Sequence, residues 1–62
     1  MPIVTIDLVE GRTLEQKREV AKRITDAIAE LLKTTPDSVT IVFRDSPRTN
    51  FARAGVLLSD RK

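Results

Sequence analysis

Hydrophobic and polar residues alternate at the start of the chain, and this alternation predicts a first strand. The segment Met1–Val9 is rich in β-branched residues. In an extended backbone its side chains fall on two faces, one with Val4, Ile6 and Leu8 and the other with Ile3, Thr5, Asp7 and Val9. One of these faces is expected to pack into a core, and residues 10–12 then supply a turn.

A spacing of three and four residues in the next segment predicts a long helix. Thr13 and Gln16 match the capping box, in which two side chains satisfy the first free backbone N–H groups of a helix, so the helix is expected to begin at Leu14. An apolar stripe then runs to about Lys33 and is interpreted as core; its members are Val20, Ala21, Ile24, Ala27, Ile28, Leu31 and Leu32.

The remaining segments predict a second strand and a C-terminal hairpin. Thr34–Ser38 ends the helix because proline cannot continue it. Alternation resumes over Val39–Arg44, which predicts a strand. A strand, a helix and a strand form a β-α-β unit with a right-handed crossover and parallel strands. Residues 45–50 are predicted as a polar loop, and Phe51–Leu58 as a short hairpin or edge strand. The expected fold class is therefore α/β (α+β).

The composition excludes several kinds of site. The 62 residues include no Cys and no His, which rules out disulfides and thiolate metal sites and leaves only carboxylates for zinc. We expect no metal and no cofactor. A single domain over residues 1–62 is expected, and a domain of this size buries only about 60% of the surface that its unfolded chain exposes. Small domains of this kind commonly gain stability by oligomerisation, so self-association is predicted.

The charge and hydropathy of the chain exclude two classes of partner. The net charge of +2 is too small to demand nucleic acid. No apolar stretch approaches the roughly 20 residues of a membrane span, and the N-terminus lacks the layout of a secretory signal. We therefore expect a cytoplasmic protein without nucleic-acid or membrane partners.

Few groups in this chain are able to transfer a proton, since His, Cys and Tyr are absent. Removal of the initiator methionine before Pro2 would leave a secondary amine at the start of the first strand. An apolar setting and nearby cations would lower the pKa of that amine toward neutrality. Pro2 is thus a candidate general base, although its position alone fits an ordinary residue that opens a strand.

Arg12 is a candidate ligand for a substrate carboxylate, because its guanidinium presents a rigid fork of N–H donors. It follows Pro2 by about ten residues, or roughly 30 Å in an extended chain. That separation is too large for the two residues to act together within one subunit. A site that uses both requires two chains, in agreement with the predicted self-association.

Several motifs together resemble the 4-oxalocrotonate tautomerase family of the tautomerase superfamily. They are Pro2-Ile3-Val4, Glu10-Gly11-Arg12-Thr13, Glu15-Gln16-Lys17, and Asn50-Phe51 with Gly55. The resemblance covers the whole chain. It implies a β-α-β protomer and a homo-hexamer built as a trimer of dimers. It also implies cofactor-free keto–enol tautomerisation or double-bond isomerisation of small unsaturated 2-oxo (enol) acids.

The resemblance also implies roles for individual residues. By it Pro2 is the catalytic base once Met1 is removed, Arg12 binds a substrate carboxylate, and Phe51 helps to form an apolar wall that keeps the amine neutral. An acid that activates water lies near the position of Arg53 in related dehalogenases. An arginine at that position argues against dehalogenation or hydration.

One position departs from the family pattern. Thr40 stands where the best-known members carry a second arginine, which binds the oxo-acid end of the substrate and stabilises enolate charge. Arg53 is a candidate replacement for that charge, with Arg44 and Arg48 less favoured. Taken alone, Arg53 fits a surface or intersubunit salt bridge better than a catalytic role. The departure places the dicarboxylate substrate of the best-known members in doubt.

Two alternatives to a self-sufficient enzyme stay open. The first is a non-catalytic or partner-dependent subunit, completed by a different chain in a hetero-hexamer, which the threonine at position 40 makes credible. The second is a small DNA-binding dimer with a two-stranded ribbon. Proteins of that second kind need two helices after the strand, whereas Val39–Phe43 has the period of a strand.

Overall fold

A strand-helix-strand unit followed by a short hairpin makes up the computed structural model, which describes residues 1–61. Its strands and helix are β1 (Ile3–Val9), α1 (Leu14–Leu31), β2 (Thr40–Ser46), β3 (Ala52–Arg53) and β4 (Val56–Leu57). Single 3-10 turns occupy Pro36–Ser38, Arg48–Asn50 and Leu58–Asp60. The predicted fold class is confirmed, including the C-terminal hairpin. The fold of the DNA-binding alternative, a ribbon strand followed by two helices, is wrong for this chain, because the element after α1 and its 3-10 turn is a strand.

The two long strands pair in parallel over their whole length. Ile3 lies opposite Thr40, and Val9 lies opposite Ser46. The ladder continues past both ends, since the Thr40 N–H donates to the Pro2 carbonyl (2.9 Å) and the Glu10 N–H donates to the Ser46 carbonyl (2.9 Å). Both ends of β1 are therefore held against β2.

Only one face of this sheet is covered by the chain itself. The covered face carries the half-buried side chains of Val4, Ile6, Leu8, Ile41 and Phe43. On the other face, Ile3 is 65% exposed and Val42 is 40% exposed. Asp7 and Arg44 form an ion pair on that open face (3.0 Å). The alternation in the sequence therefore identified which residues share a face.

Helix α1 begins where the capping box predicts and ends two residues earlier than expected. Leu32 caps the helix with its N–H on the Ile28 carbonyl (2.9 Å). Lys33 has φ 57, and the Thr34 N–H donates to the Ala29 carbonyl (3.1 Å). This is the Schellman arrangement, in which a left-handed residue, usually glycine, terminates a helix.

Strand β2 is longer at its C-terminal end than the prediction of Val39–Arg44. Asp45 and Ser46, expected in a loop, belong to the strand. Asp45 forms an ion pair with Lys17 of α1, and the Ser46 carbonyl accepts a hydrogen bond from the backbone of β1. These long-range contacts extend β2 to the length of β1, and local polarity did not reveal them.

The C-terminal hairpin is closed by a two-residue turn. Its central residues, Ala54 and Gly55, have φ 53 and φ 78. Positive φ at both positions is the requirement of a type I′ turn, whose twist matches that of the flanking strands. At its base the Leu58 N–H donates to the Phe51 carbonyl (2.8 Å). The hairpin forms a sheet separate from β1 and β2.

A single chain does not complete a core. No residue of the part described is fully buried, and the stripe predicted as core leaves Leu31 75% and Leu32 63% exposed. Two strands are too narrow to cover an 18-residue helix. The accessible surface is 4958 Å², against about 4,000 Å² for a compact monomer of this mass. The radius of gyration is 14.9 Å, against about 10.6 Å for a compact domain of this length.

The capping box makes a measurable contribution to stability. The Gln16 N–H donates to Thr13 Oγ1 (3.1 Å), and the Thr13 N–H donates to Gln16 Oε1 (2.9 Å). Thr13→Ala removes the first of these bonds and is expected to lower the free energy of unfolding by about 1 kcal/mol. Urea unfolding at a fixed protein concentration measures the change. Thr35→Ala is the matched control, because the Thr35 side chain caps nothing; an equal loss in both variants would contradict the assignment.

Candidate functional site

Pro2 lies immediately before β1, next to the first pair of the β1–β2 ladder. Its ring is half-buried, and its carbonyl is held by the Thr40 N–H. Met1, before it, is 85% exposed, so the bond to be cleaved for its removal lies at an accessible terminus. Thr40, the residue that departs from the family pattern, therefore lies at the same end of the sheet as Pro2.

Arg12 lies at the opposite end of β1, in a short loop whose backbone is anchored on both sides. Before it, Glu10 is bound to β2, and Gly11 has φ 125, a left-handed conformation that favours glycine. After it, the capping box holds Thr13 to the first turn of α1. Within residues 1–61 the Arg12 guanidinium has no hydrogen bond and no ion pair. The loop therefore presents an unpaired cation on a fixed backbone.

An apolar cleft of about 430 Å³ opens beside Arg12, between the covered face of the sheet and the N-terminal half of α1. Its lining residues are Ile6, Leu8, Arg12, Gln16, Lys17, Glu19, Val20 and Phe43. Two of the three charged residues in this lining are neutralised, Lys17 by Asp45 and Glu19 by Arg23. Arg12 is left as the charge that is free to bind an anion.

Of the residues that line this cleft, sequence reasoning placed only Arg12 at the candidate site. Gln16 was assigned only a capping role and Val20 a place in the core, whereas Val20 is 40% exposed and faces the cleft. Their spacing from Arg12 was the available signal. Residues four and eight positions after Arg12 share its side of the helix start, because positions four apart are neighbours on a helix.

The structure does not bring all of the predicted site residues together within one chain. Pro2, Phe51 and Arg53 are absent from the lining of the cleft. Pro2 and Arg12 are separated by the whole of β1, whose seven residues span about 23 Å. Phe51 is half-buried at the base of the hairpin, and Arg53 is exposed on β3. The predicted residues therefore fall at three places in the protomer.

Two of the three arginines considered as a second cation have partners in the described chain. Arg44 pairs with Asp7, and the Arg48 guanidinium donates to the Leu58 carbonyl (2.9 Å). These contacts engage the two arginines that were less favoured as replacements for the second family arginine. The Arg53 guanidinium, in contrast, has no partner within residues 1–61. Its availability supports it over the other two.

Charged residues on the exposed face of α1 pair with one another at spacings of three and four residues. Arg18 is paired with Glu15, and Arg23 with Glu19. The hydrogen bond that the Lys22 ammonium donates to the Asp26 carboxylate raises the pKa of Lys22 above its ordinary value, and the opposite charge of that carboxylate adds to the effect. Water screens exposed pairs of this kind, and we assign them no chemistry.

Two kinds of site are not found in the part of the chain that the structure describes. Over residues 1–61, no three or more acidic side chains are grouped so that they would hold a metal ion. The same residues contain no helix with both the length and the hydropathy needed to cross a membrane.

Comparison with known proteins is consistent across sequence and structure. The family model described as "Tautomerase enzyme" matches residues 2–61. A probable tautomerase of Halalkalibacterium halodurans is 38% identical over 98% of this chain and 100% of its own. A 2-hydroxymuconate tautomerase of Bacillus subtilis is 35% identical over 97% of both chains.

Solved structures extend the similarity to three dimensions. The crystal structure of a 4-oxalocrotonate tautomerase homologue superposes with a TM-score of 0.95 at 34% identity, covering 100% of this chain and 98% of that one. A heterohexamer 4-oxalocrotonate tautomerase from Chloroflexus aurantiacus gives a TM-score of 0.91 at 26% identity, with 100% of both chains covered. Such similarity supports an activity of the tautomerase or isomerase type. By its sequence and its fold, the chain belongs to the tautomerase family.

Proposed function

We propose that this protein is an isomerase that catalyses tautomerisation or double-bond isomerisation of small unsaturated 2-oxo (enol) acids without a cofactor. The observation that carries the proposal is the unpaired Arg12 guanidinium at an otherwise apolar cleft. A cation beside an apolar surface matches a molecule with a carboxylate at one end and a hydrocarbon frame. The name of the Bacillus subtilis relative, a 2-hydroxymuconate tautomerase, points to the same substrate class.

In the proposed mechanism, Pro2 acts as the general base after removal of Met1. Its uncharged ring nitrogen takes a proton from the enol oxygen or an adjacent carbon and returns it elsewhere on the conjugated frame. Arg12 binds the substrate carboxylate, and Arg53 supplies a second positive charge that stabilises the developing enolate. Phe51 contributes an apolar wall, which favours the neutral form of the amine by desolvation.

This mechanism needs more than one chain, because Pro2 and Arg12 lie at opposite ends of β1. The open face of the sheet and the large accessible surface of the protomer also support an assembly. We propose a homo-hexamer built as a trimer of dimers, in which neighbouring chains complete each site. The single domain over residues 1–62 and the cytoplasmic location remain predictions from the sequence.

Native mass spectrometry of the protein expressed alone tests the assembly. We expect a hexamer whose chains have all lost Met1, since the proposed base is the ring nitrogen that this cleavage releases. Chains that retain Met1 would contradict the role of Pro2. An unstable monomer in the absence of a different, co-expressed chain would favour the partner-dependent alternative. The Chloroflexus aurantiacus heterohexamer is a precedent for that alternative.

A spectrophotometric screen of enol acids tests the activity. The probes are 2-hydroxymuconate, with two carboxylates, and the enol form of phenylpyruvate, with one. We expect ketonisation or isomerisation faster than in buffer for at least one probe, and activity restricted to the monoacid would fit the neutral residue at position 40. A hexamer of correctly trimmed chains that accelerates neither reaction would overturn the proposed function.

A further inference from the structure

The excess positive charge of this protein is concentrated in its C-terminal segment. Residues 47–62 contain four basic residues and one acidic residue, namely Arg48, Arg53, Arg61 and Lys62 against Asp60. Residues 1–46 contain seven basic and eight acidic residues. The net charge of +2 for the whole chain therefore originates in the segment that carries the hairpin. A segment of this charge attracts anions.

Two arginines of this segment bind its backbone and not an acidic side chain. The Arg61 guanidinium donates to the Arg53 carbonyl (2.9 Å), and the Arg48 guanidinium donates to the Leu58 carbonyl (2.9 Å). Neither contact neutralises the donor, so both arginines leave the local positive charge intact. Arg53 differs from them, since its backbone is held by Arg61 while its own guanidinium has no partner within residues 1–61.

The hairpin that carries Arg53 has little stability of its own. Each of its strands has two residues, and a two-stranded hairpin in isolation is marginal in water. Ala54 in the turn adopts a left-handed φ of 53, which is unfavourable for a residue with a Cβ atom. The Arg61 guanidinium binds the carbonyl of Arg53, the residue just before this turn. It therefore restrains the backbone next to the unfavourable conformation of Ala54.

We propose that Arg61 is a positioning residue for substrate binding: it holds the Arg53 backbone so that the unpaired Arg53 guanidinium is presented to the anionic substrate. The inference rests on the proposed function, in which Arg53 is the second cation of the site. Arg61 acts only through Arg53 and does not touch the substrate. Its contribution is preorganisation, because a guanidinium that is already oriented loses less conformational entropy when it binds an anion.

A double-mutant cycle tests this coupling. KM and kcat are measured for wild type, Arg53→Gln, Arg61→Gln and the double variant, with the enol acid that the wild-type hexamer converts fastest. Arg18→Gln is the matched control, because it removes the same charge from a remote, exposed pair on α1. Arg61→Lys is added because an ammonium keeps the charge and is able to donate to a carbonyl, but it lacks the planar fork.

We expect Arg53→Gln to raise KM about tenfold, the lower range for a lost hydrogen bond to a charged group. Arg61→Gln is expected to raise KM about threefold with kcat within a factor of two, and Arg61→Lys to recover part of that change. In the Arg53→Gln background, Arg61→Gln should change KM no further. Arg18→Gln should behave as wild type, which would separate positioning from a general loss of charge.

The outcomes distinguish the inference from the proposed function. A wild-type hexamer without activity overturns the proposed function, and the role of Arg61 falls with it. An active wild type whose KM and kcat are both unchanged in Arg53→Gln shows that Arg53 neither binds the substrate nor stabilises the enolate. In a third outcome, Arg53→Gln raises KM, but Arg61→Gln either leaves KM unchanged or raises it equally in the wild-type and the Arg53→Gln proteins. Arg53 then keeps its role, and only the positioning inference is overturned.

Discussion

Replacement of Pro2 by alanine is expected to lower kcat/KM by about 10²- to 10⁴-fold, the usual effect of removing a positioned general base. The variant loses the secondary amine and the ring that orients its lone pair at the start of β1. Stopped-flow or conventional spectrophotometry on the trimmed hexamer measures the change. Mass spectrometry of the same sample confirms that Met1 has been removed and that the assembly is intact.

Pro36→Ala is the control for the loss of a proline ring, because Pro36 lies in the 3-10 turn after α1 and its nitrogen is never a chain terminus. This variant should retain the activity of wild type. Turnover by the Pro2→Ala hexamer at the wild-type rate would reject Pro2 as the base. It would leave the family assignment and the fold unaffected.

The pH dependence of the wild-type enzyme gives a second measurement on the same group. A base must be uncharged to accept a proton, so kcat/KM should rise with pH and level off above the pKa of the Pro2 amine. Desolvation and neighbouring cations would both disfavour the protonated form, so the proposed mechanism requires a pKa lowered toward neutrality. Direct titration that finds the amine protonated well above neutrality would contradict the mechanism.

Replacement of Arg12 by glutamine is expected to raise KM by about 10- to 100-fold, since a hydrogen bond to a charged group contributes about 1.5–3 kcal/mol. Glutamine retains a hydrogen-bond donor and a similar length but removes the charge that the substrate carboxylate requires. Arg12→Lys should give an intermediate KM, because lysine keeps the charge and lacks the bidentate fork. Initial-rate kinetics over a range of substrate concentrations separate KM from kcat.

The control for Arg12 is Arg18→Gln, which removes an arginine six residues later from an exposed pair with Glu15. Its KM should match wild type at constant ionic strength. A similar KM for the Arg12→Gln hexamer and wild type would show that the cleft beside Arg12 does not hold the carboxylate. That result would remove the main support for the proposed function, although the protein would still belong to the tautomerase family.

Local signals in the sequence predicted those features of the fold that depend on neighbouring residues. The capping box of Thr13 and Gln16 placed the start of α1, and the alternation in β1 separated the covered face from the open one. The two predicted ends that were wrong, Lys33 for α1 and Arg44 for β2, have different causes. A Schellman bond ends the helix early, and pairing with the whole of β1 extends β2.

The sequence likewise predicted some features of the candidate site and not others. The types of residue available for chemistry follow from composition alone, because the absence of His, Cys and Tyr directed attention to Pro2, and the motif around Arg12 indicated the family. The sequence could not show which arginines are free. Only the contacts in the folded chain identify Arg44 and Arg48 as engaged and Arg53 as unpaired, since a partner depends on distance in space.

The sequence by itself determined the order of the elements, the helix start and the faces of the strands, because short-range hydrogen bonding and the periods of helix and strand are local properties. The tertiary structure decided how far β2 extends, which residues line the cleft beside Arg12, and which guanidinium groups remain without a partner. It also showed that one protomer leaves its sheet open and its helix stripe partly exposed. These features depend on packing between segments distant in the chain, and no local pattern encodes them.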